Sequence, residues 1–140
     1  MNNKMSKSYF NLLIIIILVC SCRRNDTQEI ISPSGNYKLI VEVNQSKADP
    51  ARYACVKFTL HNGKNELLST YQTGASDAMK WAVDWYPGKD TIILYSSDIG
   101  ESLSWGIDSN NSFKEIQSTK DIDSLSKIIF QKKYNKLPPI

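Results

Sequence analysis

Two hydrophobic rhythms run along this chain. From Tyr37 to Asn44 the apolar side chains Tyr37, Leu39, Val41 and Val43 take every second position, with Lys38, Glu42 and Asn44 between them. That alternation predicts a half-buried strand. Residues 53–60 repeat it, with Ala54, Val56, Phe58 and Leu60 on one face. Asn62-Gly63 then marks a hairpin, since a type I′ turn requires φ > 0 at two successive positions. The return strand is predicted at 66–72, and the small, polar residues 73–78 read as a loop. In "KWAVDWY" (80–86), Trp81, Val83 and Trp85 again fall at period two. "PGKD" turns the chain, and "DTIILYS" (90–96) is almost continuously apolar, the mark of a strand covered on both faces. Leu103, Trp105 and Ile107 alternate once more, and a short strand is expected at 113–117.

After residue 117 the period changes. Ile122, Leu125, Ile128 and Ile129 recur at helical spacing. Ser118 or Thr119 stands at the capping position, Asp121 and Asp123 in the first turn, and Lys132, Lys133 and Lys136 at the end, as the helix dipole favours. Pro138 and Pro139 stop the helix. The fold expected is mainly β: an antiparallel meander or sandwich-like sheet of about six to seven strands, with one C-terminal α-helix at about 120–135.

The N-terminus follows neither rhythm. Lys4 and Lys7 precede an apolar run, residues 9–19, interrupted only by Asn11, and "CSCRR" follows. A spanning helix needs about 20 apolar residues. This run has roughly half that, the length of the apolar core of an export signal.

"LVCSC" resembles the lipobox of bacterial lipoprotein precursors: an aliphatic residue (Val19), a tolerant position (Cys20), a small residue (Ser21), then the Cys that receives the lipid (Cys22). The resemblance implies removal of residues 1–21 by signal peptidase II and a diacylglycerol, often joined by an N-acyl chain such as palmitate, on Cys22. Two or more acyl chains on one residue suffice for stable anchoring without a protein span. Arg23 follows the Cys where Asp would signal inner-membrane retention, so the address implied is the outer membrane, facing the periplasm or the surface. Residues 22–29, "CRRNDTQE", then read as a lipidated polar tether, and residues 30–140 as a single domain.

Processing changes what composition says. The full chain has a formal charge of +3, but Lys4 and Lys7 leave with the signal. A nearly neutral domain gives no electrostatic case for nucleic acid. With Cys20 removed and Cys22 acylated, Cys55 is left without a disulfide partner, and its strand context predicts a buried, inert thiol.

Candidate chemistry is sparse. The single His, His61, adjoins a predicted turn, and no His/Cys cluster suits a metal. No Gly-rich phosphate loop and no nucleophile elbow is present. Neither cofactor nor metal is therefore expected. Asp84, Asp90, Asp98, Glu101 and Asp108 surround the Trp-bearing segments. Trp81, Trp85 and Trp105 predict either core or, with Asp98, a ligand-binding aromatic platform. "SPSGNYKLIV" and "VDWYPGKDTIILYSSD" are similar to turn–strand units of bacterial propeller repeats and of small β-rich envelope lipoproteins, with Ser34 in place of the usual Asp. That resemblance implies hairpin geometry and no activity. The expectation is a non-catalytic binding module for an envelope protein or glycan. Its rival is a hydrolase of an envelope polymer, working through carboxylates near Trp85 and Trp105.

Overall fold

A computed structural model describes residues 27–135 of the 140-residue chain. The expected signal, the expected lipid attachment at Cys22, most of the expected tether, and Pro138 and Pro139 lie outside the described residues. Eight strands and one helix follow in order: β1 (Gln28–Ile31), β2 (Tyr37–Val43), β3 (Cys55–Asn62), β4 (Leu67–Ser76), β5 (Trp81–Trp85), β6 (Thr91–Ser96), β7 (Ser102–Ile107), β8 (Phe113–Ile116) and α1 (Lys120–Tyr134). They form two four-stranded antiparallel meanders, β1-β2-β3-β4 (sheet A) and β5-β6-β7-β8 (sheet B). The mainly β, sandwich-like architecture with a C-terminal helix is therefore present, divided into two sheets.

The core lies between the sheets. Leu39, Val41, Val56, Phe58 and Leu60 from sheet A meet Trp81, Val83, Trp85, Ile92, Leu94 and Trp105 from sheet B, all buried. These are the period-two positions of each strand. Helix α1 covers the other face of sheet B, against β5, β6 and β7. Strand β6 is thus enclosed on both sides, and Ile92, Ile93 and Leu94 are all fully buried, as its unbroken apolar run predicts. Each such side chain contributes roughly 1.5–3 kcal/mol by burial.

Three local expectations are corrected. Residues 28–29, placed in the tether, begin β1, whose four residues pair with β2 from Gln28↔Val41 to Ile31↔Lys38. Two apolar side chains are too few to show a period. Residues 73–76, read as loop, continue β4. The Thr73 hydroxyl donates to Val56 O at 2.8 Å, Ala75 is buried, and Gly74 at φ 77° accompanies a register shift opposite Cys55–Lys57. A bulge of small residues resembles a loop in sequence because both need permissive backbone. The β3–β4 hairpin forms, but not through a type I′ turn. Asn65 N bonds Asn62 O at 2.9 Å, and the left-handed residue is Asn65 at φ 65°. The Asn62 side chain accepts from Lys64 N and Glu66 N and so holds this longer loop.

The helix begins where its cap predicts. Thr119 Oγ1 accepts from Ile122 N at 3.3 Å. Ser118 instead donates to Ser102 O. The apolar stripe is only partly used: Ile122 is buried, but Ile128 is 57% exposed. The centre of the contact is Ser126, whose hydroxyl lies 2.6 Å from that of Ser102 while Ser102 donates to Asp123 at 2.7 Å. Phe130 packs on Tyr95 at 5.0 Å. A polar–aromatic seam has displaced the aliphatic one.

Candidate functional site

The aromatic platform is not present. Trp81, Trp85 and Trp105 are 3%, 5% and 1% exposed. Their period-two spacing points them all at sheet A, where the opposite hydrophobic face waits. Trp105 meets Phe58 edge-on at 5.2 Å and Tyr71 at 5.3 Å. Trp85 Nε1 donates to Ile30 O at 3.2 Å, which fastens β1 to sheet B. Trp81 Nε1 donates to Asp77 at 3.2 Å. Stacking on a sugar needs an open ring face, and these rings are spent on the core.

The carboxylates hold turns and joints. Asp90 accepts from Ser34 N at 3.2 Å and from Ser34 Oγ at 2.6 Å, which clasps the β1–β2 turn to the β5–β6 turn. Asp108 accepts from Asn110 N and Ser112 N inside its own turn. Asp84 accepts from Trp85 N. Glu101 is exposed. Asp98 joins the sheets at their other end: it accepts from Ser76 N at 2.9 Å and from the Ser96 hydroxyl. Desolvation pushes its carboxyl up. The Ser96 hydroxyl and the backbone amides of Ser76, Asp98 and Ile99 outweigh that and hold the pKa below the ordinary aspartate value. No two of the five are tied to each other by a hydrogen bond. Among the described residues no group of three or more His, Cys, Asp or Glu side chains is placed to hold a metal ion.

Cys55 is a free thiol at the start of β3, half-buried where full burial was expected. Its side chain falls on the parity opposite to Val56 and Phe58, away from the core. His61 is not in the turn but on β3, half-buried, with Nδ1 enclosed and unpartnered.

The surface that sequence reasoning missed is the outer face of sheet A. Among the described residues no element covers it. Pairing across four strands aligns one row, Ile31↔Lys38↔His61↔Leu67. Ile31 and Leu67, at the two ends of this row, are each 61% exposed. Beside the row an open cleft of about 360 Å³ is lined by Ile31, Gly35, Tyr37, Lys38, Asn62, Gly63 and Asn65. Its walls are the β1–β2 and β3–β4 turns. Farther along the face, Lys38 pairs with Glu29 at 3.7 Å, and Lys57 pairs with Glu42. The sequence carried one signal for this: the polar parity of β2. It could not show Ile31, because β1 itself was not legible.

No protein-family model matches the chain, and no curated protein or solved structure is significantly similar to it. Among the described residues no helix is long and apolar enough to cross a membrane.

Proposed function

We propose that this chain is a lipid-anchored envelope protein whose domain binds a protein partner through the outer face of sheet A, without catalysis. The observation that carries the binding reading is the cleft at the Ile31–Leu67 row. Two large aliphatic side chains stand in solvent there, with Lys38 and His61 between them. Exposed aliphatics flanked by polar groups suit a protein surface. A glycan is favoured less, since the three Trp side chains that would stack on it are buried. The anchoring half of the reading is supported by the register of charge, apolar run, small residue and Cys at the N-terminus.

A photoreactive amino acid placed at Ile31 or at Leu67 in intact envelopes tests the binding half. The same protein adduct is expected from both sites, absent when the probe stands at Lys114 on β8 and lost on Lys38→Glu. Adducts carrying only polysaccharide, or equal capture from Lys114, would overturn it. Labelling with a palmitate analogue tests the anchor: label is expected on the native chain and on Cys20→Ala, and not on Cys22→Ala.

The hydrolase reading has less to stand on. A general acid at neutral pH needs a raised pKa, and Asp98 is shifted the other way. Loss of a polymer-cleaving activity in Asp98→Asn with the fold intact would restore it.

A further inference from the structure

An unpaired sheet edge is a template for another strand, and folded domains close their edges by several devices. The four edges here are β1, β4, β5 and β8. Three of them are short and carry charge. β1 has four residues, bears Glu29, and gives Ile30 O to the Trp85 indole. β5 has five residues, bears Asp84, and is plugged by side chains at both ends. The Tyr134 hydroxyl donates to Trp81 O at 2.8 Å and accepts from Trp81 N at 3.1 Å, and Asp84 accepts from Trp85 N. β8 has four residues, with Lys114 and Glu115 exposed on it.

β4 is built otherwise. It has ten residues, "LLSTYQTGAS", without a charge or a proline. Its second half is closed. The register shift near Gly74 interrupts the ladder, Thr73 Oγ1 accepts from Ala75 N, and Asp98 accepts from Ser76 N. Its first half, residues 67–72, has none of these devices. Pairing with β3 is regular from Lys57↔Gln72 to Leu60↔Ser69. Among the described residues no side chain is hydrogen-bonded to the main chain of 67–72, and no strand pairs with its outer edge. The strand is also held firmly from within: the Tyr71 ring packs on Trp105 at 5.3 Å and on Phe113 at 5.8 Å. An edge fixed in this way pairs with little further ordering.

We propose that residues 67–72 are a strand-addition site whose occupant is the same segment of a second copy, paired antiparallel about a two-fold axis. Charge selects the copy. A two-fold contact brings a segment against itself, so any charge it carried would be set against its own twin. Residues 67–72 carry none, whereas β1, β5 and β8 each do. Centred on Thr70, the pairing sets the exposed Thr70 opposite its twin and Ser69 opposite Tyr71. Thr–Thr pairs are favourable across strands, and the main-chain ladder supplies the affinity. The four strands of sheet A in each copy then form one continuous sheet. Ile31 lies on the opposite edge and stays open, so the inference goes beyond the proposed partner face and does not depend on it.

The test uses the full chain in detergent micelles, its mass read by sedimentation. A dimer that dissociates on dilution is expected. Thr70→Lys and Thr70→Glu each place like charges at the two-fold axis. Each is expected to weaken the dimer at least about tenfold, with an unchanged circular dichroism spectrum because Thr70 is exposed. Mixing the two variants is expected to restore a dimer holding one chain of each, read by native mass spectrometry. Lys114→Glu on β8 is expected to leave the dimer as it is. Hydrogen exchange reads the ladder itself: amides within 67–72 should exchange at least about tenfold more slowly in the native dimer than in Thr70→Lys, with 113–116 alike in both. A native chain that stays monomeric up to about 0.1 mM overturns the proposal. So does a dimer that survives both Thr70 variants, or a mixture of the two that fails to pair. A dimer abolished by Lys114→Glu and kept by Thr70→Lys would put the interface on β8 and overturn it as well. None of these readings uses the adducts formed at Ile31, so failure here leaves the proposed partner face standing.

Discussion

The two sheets contain the same number of strands in the same meander order, yet they differ in what their sequences spend on each face. Sheet B lies between sheet A and α1. Its strand β6 is apolar at both parities, and its helix-facing positions are Ala82, Ile93, Ser102 and Ser104, all buried. Among the described residues sheet A has one partner only. Its strands β2 and β3 turn Lys38, Glu42, Lys57, Thr59 and His61 to the outer side, with Ile40 and Cys55 the apolar exceptions. A sheet covered twice needs hydrophobic or hydrogen-bonded side chains at every position. A sheet covered once keeps half its side chains for water or for a partner. Burial is concentrated in sheet B, and the open face lies on sheet A.

The sharpest way to break this comparison uses one residue type in both sheets. Ile93→Ala, between β6 and α1, is expected to cost about 2–5 kcal/mol in urea unfolding, by lost transfer energy and a cavity. Ile40→Ala, on the half-buried outer face of sheet A, is expected to cost less than about 1 kcal/mol. Equal costs would mean that the outer face is covered after all.

Polar ties should separate in the same way. Ser102→Ala removes the hydroxyl that meets both Ser126 and Asp123 under the helix. Ser126 keeps its bond to Asp123 O and Asp123 its pair with Lys127, so the loss is expected to cost about 0.5–1.5 kcal/mol in urea unfolding. A double-mutant cycle on Glu42 and Lys57, both partly open to solvent, is expected to return about 0–1 kcal/mol.

The joint between the sheets should respond to acid. The Asp98 carboxyl sits below its ordinary value of 3.8 in the folded chain. Its contribution is therefore present in full above that value and is lost as pH falls through the lower folded value. Urea midpoints measured from neutral pH into the acid range should fall less steeply in Asp98→Asn. Identical acid limbs would remove Asp98 from the joint.

The smallest effect is expected at Ala54, where sheet A begins. Ala54 holds φ 59° while its N–H bonds Asn44 O and its carbonyl accepts from Asp77 N. A left-handed Ala costs about 1–2 kcal/mol. Glycine relieves that but loses roughly 0.4–1 kcal/mol through the unfolded chain. Ala54→Gly should therefore raise stability by only about 0.5 kcal/mol. A marked loss would show that the alanine methyl is packed.

Much of this organisation was already legible in the sequence. Local periodicity placed seven of the eight strands and the helix, because which side chains alternate is a property of consecutive residues. Turn residues gave the hairpins, and the unbroken apolar run of β6 announced burial on both faces. Distance decided the rest. The division into two sheets depends on which strands pair, and β4 and β5 are consecutive yet belong to different sheets. The three Trp side chains carried identical local signals for core and for platform, and only the arrival of sheet A over them settled the matter. The exposed row from Ile31 to Leu67 and the bonds of Tyr134 to the Trp81 main chain join residues tens of positions apart. No neighbouring pattern encodes such meetings, because they are made by packing and not by period.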